Sequence, residues 1–239
     1  MKPICEVYRL GQIDYDAALA LQARLVAERS AGHAPDRLLL LEHPPTYTLG
    51  SSAKPEHLLL TPEECAARGI RVVSVDRGGD ITYHGPGQLV GYPIIALPRE
   101  AEGLRTDFVG YLRRLERVLI GVLGEYGLCG KTIPGLTGVW VDTPAGEAKV
   151  AAIGVKINVR AITKHGFALN VDPDMSYFTG IVPCGIDDKA VVSLAQLLDQ
   201  PPSLDDVADR VCAHFADVFG CTLQAGNPAK LAAEPHPEQ

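Results

Sequence analysis

Three residue types in this chain could do covalent or proton-transfer chemistry. Cys184 lies in Ile181-Val182-Pro183-Cys184-Gly185-Ile186. Proline fixes the chain ahead of the thiol, and glycine leaves the following amide open to approach. That is a setting for a nucleophile on a loop, with the Gly185 N–H near a developing oxyanion. The commoner use of a lone cysteine is as a small packing residue. Lys149 opens the small-residue strand Lys149-Val150-Ala151-Ala152-Ile153-Gly154. An ammonium beside a thiol favours the thiolate. The plainer use of such a lysine is a solvated strand end. His165, ahead of Gly166-Phe167-Ala168, suits proton transfer or a hydrogen bond at a strand start.

A fourth feature is the block Arg77-Gly78-Gly79-Asp80-Ile81-Thr82-Tyr83-His84-Gly85-Pro86-Gly87-Gln88. Its glycines admit close approach of a ligand to backbone, and Arg, Thr, Tyr and His add polar groups around that space. A tight turn between two strands explains the same composition.

Other familiar chemistries lack their signatures. The segment from Gly124 to Thr132 imitates a phosphate loop, but Glu125 stands where the first glycine belongs, and a helix precedes it instead of a strand. No dinucleotide fingerprint, zincin helix or hydrolase elbow occurs. The six cysteines are scattered singly with no C-x-x-C, so neither a zinc site nor a redox pair is signalled.

These residues need a scaffold. Asp14 can cap a helix running to about residue 31, ahead of Gly32, and Arg37 to Leu41 reads as a buried strand. Thr61-Pro62-Glu63-Glu64 is a capping box for a short helix ended by Gly69, with a strand from Ile70 to Val75. The clearest helix starts at Thr106 or Asp107, with an apolar stripe of Phe108, Leu112, Leu115, Leu119, Val122 and Tyr126. Gly138 to Val141 and Lys149 to Asn158, joined by the turn Thr143 to Gly146, form a hairpin, and Gly166 to Val171 another strand. Ser203 caps a last helix reaching Phe219. The fold class is therefore α/β, with a mixed sheet flanked by helices. One domain spans residues 1–220, and 221–239 form a Pro/Ala-rich tail. The 239 residues carry 22 Lys and Arg against 29 Asp and Glu, a net charge of −7. That balance argues against nucleic acid as a general partner. No apolar run is long enough to span a membrane, and no signal peptide opens the chain, so a cytoplasmic location is expected.

Taken together, the block Arg77 to Gln88, Lys149 to Gly154, His165-Gly166, Leu169-Asn170-Val171 and Pro183-Cys184-Gly185 resemble the lipoyl(octanoyl) transferases, in that family's order and over roughly residues 5–220. The resemblance implies a fold like the catalytic domain of biotin and lipoate protein ligases. It implies transfer of an octanoyl group from octanoyl-acyl carrier protein to a lysine of lipoyl domains of 2-oxoacid dehydrogenases or of the glycine-cleavage H protein. Cys184 then matches the acyl-carrying nucleophile and Lys149 its activating partner. The substrate-binding segments match Arg77, Gly78, Gly79, Asp80, Ile81, Thr82, Tyr83 and His84, then Ala152, Ile153 and Gly154, then His165, Gly166, Phe167 and Ala168. Thioester to amide is downhill, so no cofactor, ATP or metal is expected. Ile153, Phe167 and Leu169 suit an eight-carbon groove, and core packing suits them equally well. Acyl carrier proteins are acidic as a family, so a local basic surface is expected, drawn from Arg113, Arg114, Arg117, Lys156, Arg160 and Lys164. The alternatives are an ATP-dependent lipoate or biotin ligase on the same fold, or a non-catalytic module that binds acylated carriers. The Pro-Cys-Gly setting and Lys149 favour the transferase, since neither rival needs them.

Overall fold

A computed structural model describes residues 2–32, 34–98, 106–185, 189–227 and 231. In chain order its strands are β1 (Ile4–Gln12), β2 (Asp36–Glu42), β3 (Thr46–Leu49), β4 (Arg71–Ser74), β5 (Ile81–His84), β6 (Gln88–Ile94), β7 (Lys131–Ile133), β8 (Leu136–Thr143), β9 (Gly146–Ile157), β10 (Thr163–Asn170), β11 (Ala190–Val191) and β12 (Thr222–Ala225). The helices are α1 (Tyr15–Ser30), α2 (Pro62–Ala67), α3 (Phe108–Glu125), α4 (Leu194–Leu197) and α5 (Leu204–Phe219). The large sheet runs β12-β1-β2-β6-β10-β9-β8-β7, with β11 pairing β9. It is mixed: β1 is parallel to β2 and β12, while β6, β8, β9 and β10 pair antiparallel.

Strand alternation divides the core. On β2, Leu38 and Leu40 face α3 and α5 with Leu89, Tyr111, Leu115, Val211 and Phe215. Leu39 and Leu41 face α1 with Leu25, Val90 and Ile94 on the other side. A second sheet, β4-β3-β5, has its own small core of Tyr47, Cys65, Ile70, Ile81, Tyr83 and Ile181.

The helix signals act as expected. Asp14 accepts from the amides of Asp16 and Ala17, and Asp107 from Gly110. The Thr61–Glu64 capping box is complete, Ser203 caps α5, and Gly220 closes α5 in the left-handed region. Each of these side-chain caps stabilises its helix by about 1 kcal/mol.

Three expectations need correction. The α3 stripe is turned: Phe108 is 43% exposed, while Tyr111, Val118 and Leu123 are buried, because α3 is covered by both α5 and the sheet and buries a broader face. Ile81 to His84, read as part of a turn, is a strand that pairs antiparallel with β3. Thr222 to Ala225, assigned to the tail, pairs in parallel with β1. The rest of that tail, apart from Cys221, Gly226, Asn227 and Leu231, lies outside the described residues. Among the described residues no helix is long and apolar enough to cross a membrane.

Candidate active site

Lys149 lies on β9 in the interior of the large sheet and is 5% exposed. Its carbonyl accepts from Val192 at 2.9 Å, where β11 joins the ladder. Cys184 arrives from a loop tied to the small sheet. Val182 N donates to His57 O at 2.8 Å, Leu59 N to Gly180 O at 2.9 Å, and Tyr47 Oη to Tyr177 O at 2.5 Å. The two chain segments meet with Lys149 Nζ donating to Cys184 Sγ at 3.0 Å. Lys149 Nζ also stands 4.7 Å over the centroid of the Trp140 ring, a cation–π contact.

The cysteine is held in an uncommon conformation, φ 58° and ψ 17°. For a residue with a Cβ this costs about 1–3 kcal/mol. Gly185 follows, also left-handed at φ +66°; a Cβ there would stand 2.8 Å from Asp80 Oδ2 and 2.9 Å from His57 Cε1. His57 Nδ1 and Asp80 Oδ2 are 2.6 Å apart, so this pair braces the loop directly behind the thiol. Gly185 N donates to Val182 O at 3.0 Å. That amide is spent on the turn, which removes the oxyanion donor expected from the sequence.

The sulfur opens on a cavity of about 240 Å³. Its walls include Arg77, Gly78, Gly79, Asp80, Thr82 and His84 from one side, and Ala152, Ile153, Gly154, His165, Gly166, Phe167 and Ala168 from β9 and β10. Gly154 is required by close approach: a Cβ there would stand 3.0 Å from both Gly78 O and Arg77 Cδ. Ile81 and Tyr83 do not line the cavity; they point the other way on β5, into the small core. Leu169 joins the main core instead of the groove.

The polar walls are ordered. The Arg77 guanidinium is buried and donates to Thr48 O at 2.7 Å and Thr48 Oγ1 at 2.8 Å; burial pulls it below its usual pKa. His84 Nδ1 is 2.8 Å from Gln88 Oε1, while the Gln88 amide nitrogen donates to Asn170 Oδ1 at 2.9 Å. The Gln88 oxygen therefore accepts, which places the His84 proton on Nδ1. Burial keeps that ring well below its usual pKa. His165 is neutral as well, pushed by burial down to about 4.

The cavity also includes Tyr15, Tyr92, Gly135, Leu136 and Thr137, none of which stood out in the sequence. Tyr92 was the one polar tip in an otherwise apolar run; Tyr15 and the turn at Gly135 gave no signal. The phosphate-loop imitation takes no part, since Gly124 to Gly127 merely end α3. The basic residues do not form one patch. Arg113 pairs with Glu116 and Arg114 lies over Phe219 on α3, whereas Lys156 and Lys164 pair with Asp76 beside β9 and β10. Among the described residues no cluster of His, Cys, Asp or Glu has the makings of a metal site.

The lipoyl protein ligase A/B catalytic domain family model matches residues 14–216. An octanoyltransferase of Chloroflexus aggregans is 54% identical over 213 residues, spanning 89% of this chain and 94% of its own. An octanoyltransferase of Mycolicibacterium smegmatis is 47% identical over 228 residues, spanning 95% and 94%. Among solved structures, a bi-partite lipoate protein ligase from Thermoplasma acidophilum superposes with a TM-score of 0.69 at 17% identity, over 95% of this chain and 91% of its own. A biotin protein ligase from Aquifex aeolicus, in complex with biotin and ATP, gives 0.53 at 12% identity, over 90% and 70%. At such identities the structural likeness speaks for the fold alone.

Proposed function

The chain belongs to the lipoyl protein ligase A/B catalytic domain family, among its octanoyltransferases, and we propose that it carries the octanoyl group of protein lipoylation on Cys184 with Lys149 as proton shuttle. It acts on protein substrates. The donor is octanoyl-acyl carrier protein, the acceptor a lysine of a lipoyl domain or of the glycine-cleavage H protein, and the setting the cytoplasm. The observation that carries the reading is the 3.0 Å contact between Lys149 Nζ and Cys184 Sγ at the wall of a cavity.

The ammonium favours the thiolate, which attacks the carbonyl carbon of the donor thioester. The bond from that carbon to the carrier sulfur breaks. The departing thiolate takes a proton from Lys149, leaving a neutral amine and an octanoyl thioester on Cys184. The acceptor lysine enters as a neutral amine and attacks the same carbon. Lys149 takes the proton released from the new C–N bond's nitrogen, and the Cys184 thiolate leaves. Ammonium and thiolate are both restored, and the net change is thioester plus amine to amide plus thiol. Ala152, Ile153, Phe167 and Ala168 line the stretch that holds the alkyl chain. Arg77, Gly78, Gly79, Asp80, Thr82 and His84 shape the opposite wall; Ile81 and Tyr83 support it from behind.

The test is mass spectrometry of the protein with octanoyl-acyl carrier protein, without ATP. An octanoyl adduct that disappears on adding an apo lipoyl domain, and is absent in Cys184→Ser, is the expected result. Acceptor modification only from octanoate with ATP and Mg²⁺ would move the assignment to a ligase.

A further inference from the structure

A thiol that carries acyl groups stands bare between turnovers, and this one opens on a cavity. When such a sulfur meets a peroxide its first product is a sulfenic acid. The usual captor of a sulfenic acid is a second thiol. Here none of the other five cysteines lines the cavity, and Cys5, Cys65 and Cys221 are buried. A neighbouring backbone amide is another captor. The Gly185 N–H, next in the chain, is bound to Val182 O at 3.0 Å. The histidines nearby are engaged as well. His57 Nδ1 is held by Asp80 at 2.6 Å and His84 Nδ1 by Gln88 at 2.8 Å. His165 Nε2, at the far end of the cavity where β10 pairs with Val155, lies 2.7 Å from Asp76 Oδ1.

The amine of Lys149 is placed differently. Its nitrogen stands 3.0 Å from Cys184 Sγ, within the roughly 3–3.5 Å of a near-attack arrangement. Trp140, 1% exposed, flanks that nitrogen at 4.7 Å. The backbone beneath it is fixed by the Val192 N–H on the Lys149 carbonyl. The four-carbon stem keeps the rotations needed to close on the sulfur.

We propose that Lys149 and Cys184 are a modification site for hydrogen peroxide, where the oxidised sulfur is captured by the lysine amine as a reversible S–N cross-link. The sulfur attacks one peroxide oxygen and the O–O bond breaks. The other oxygen leaves as water with a proton from the pair. The lysine lone pair then attacks the sulfenic sulfur. The S–O bond breaks as the S–N bond forms, and the hydroxyl leaves as water with a proton from the nitrogen. Thiol, amine and one peroxide become a sulfenamide and two waters; the sulfur loses two electrons and the peroxide gains them. A thiol reductant reverses the change. One equivalent opens the S–N bond to a mixed disulfide and the free amine, and a second releases Cys184 and departs as its own disulfide. The link rests on the Lys149–Cys184 contact alone. Its consequence, that transfer stops because sulfur and proton shuttle are both occupied, rests on the reading above.

Peroxide treatment of the full chain, followed by peptide mapping without reductant, tests the site. A second sample is first octanoylated with octanoyl-acyl carrier protein. The wild type should lose about 2 Da, with the Lys149 and Cys184 peptides joined and trypsin no longer cutting after Lys149. Transfer to an apo lipoyl domain should fall in step with that species, and dithiothreitol should restore both. The octanoylated sample should keep its mass. Lys149→Gln, which lacks the amine, should instead gain about 32 Da at Cys184 as the sulfinic acid. Wild-type Cys184 found as sulfinic or sulfonic acid with Lys149 free overturns the inference, whether or not the variant folds. So does a loss of about 2 Da mapped to a disulfide or to the Cys184–Gly185 backbone. An octanoyl adduct in the untreated protein without a cross-link in the treated one sinks this inference alone. A cross-link without any octanoyl adduct supports it and removes the acyl-cysteine reading instead.

Discussion

The two ends of the cavity are built from the same backbone device and opposite electrostatics. Cys184 and His165 are both non-glycine residues in the left-handed region, at φ 58° and 59°. His165 is inside the large sheet and locked to a carboxylate that two lysines also hold. Cys184 is half-buried on a loop, and its side-chain partner is a single ammonium that rests on an aromatic face. One end thus ties its ring to a carboxylate, while the other sets a lysine amine against a sulfur.

The comparison breaks first at the reactive end. Cys184→Ala and Lys149→Ala should each lower octanoyl transfer by about a thousandfold or more, the usual cost of removing a nucleophile or its paired base. Steady-state transfer to an apo lipoyl domain measures it. Lys149→Ala retaining a tenth of wild-type activity would deny the lysine its shuttle role.

The far end contributes to acid sensitivity instead. Burial holds His165 and His43 neutral, each pushed down to about 4 in the fold from an ordinary 6.5. The unfolded chain binds these protons first, so the stability they support is present above about pH 6.5 and is lost as pH falls towards 4. The loss is on the order of 3 kcal/mol for each ring. Urea unfolding from pH 7 to 4.5 should show it, and His165→Phe should flatten the slope by up to one proton. An unchanged slope would mean that His165 is already protonated in the fold.

Much of this arrangement was legible in the sequence, and the rest fails for identifiable reasons. Caps and hairpin turns are local, so Asp14, Thr61, Asp107, Ser203 and the β8–β9 turn could be read directly. The segments at Arg77, Lys149, His165 and Cys184 could be named as candidates, yet 35 residues separate Lys149 from Cys184 and only the topology makes them neighbours. Reading Arg77 to Gln88 as a turn hid strand β5, whose period of two sends Thr82 and His84 to the cavity and Ile81 and Tyr83 away from it. The Gly185 amide looked free because its turn bond to Val182 depends on a backbone conformation that residue types do not announce. Tyr15, Tyr92 and Asp76 reach the site or support it through tertiary packing alone.

The loop behind the thiol sharpens the contrast at a smaller scale. Gly185→Ala adds a methyl 2.8 Å from Asp80 Oδ2 and 2.9 Å from His57 Cε1, in a left-handed conformation. It should destabilise the fold by about 1–2 kcal/mol and slow acylation of Cys184 by displacing the loop. Wild-type acylation in this variant would show that the His57–Asp80 brace does not position the sulfur.

The smallest effect isolates strain from chemistry. Cys184→Gly and Cys184→Ala both lack the thiol and are both expected to be inactive, so neither retains the Lys149 contact. They differ in what φ 58° costs: alanine keeps the Cβ penalty and glycine does not. Glycine also loses more entropy on folding, by about 0.4–1 kcal/mol, which offsets part of the relief. The left-handed penalty of about 1–2 kcal/mol exceeds that loss. Cys184→Gly should therefore be more stable than Cys184→Ala by up to about 1 kcal/mol in urea. Equal stability would mean that the loop relaxes once the sulfur is gone. The strain would then be imposed by the Lys149–Cys184 contact itself and not by the brace behind Gly185.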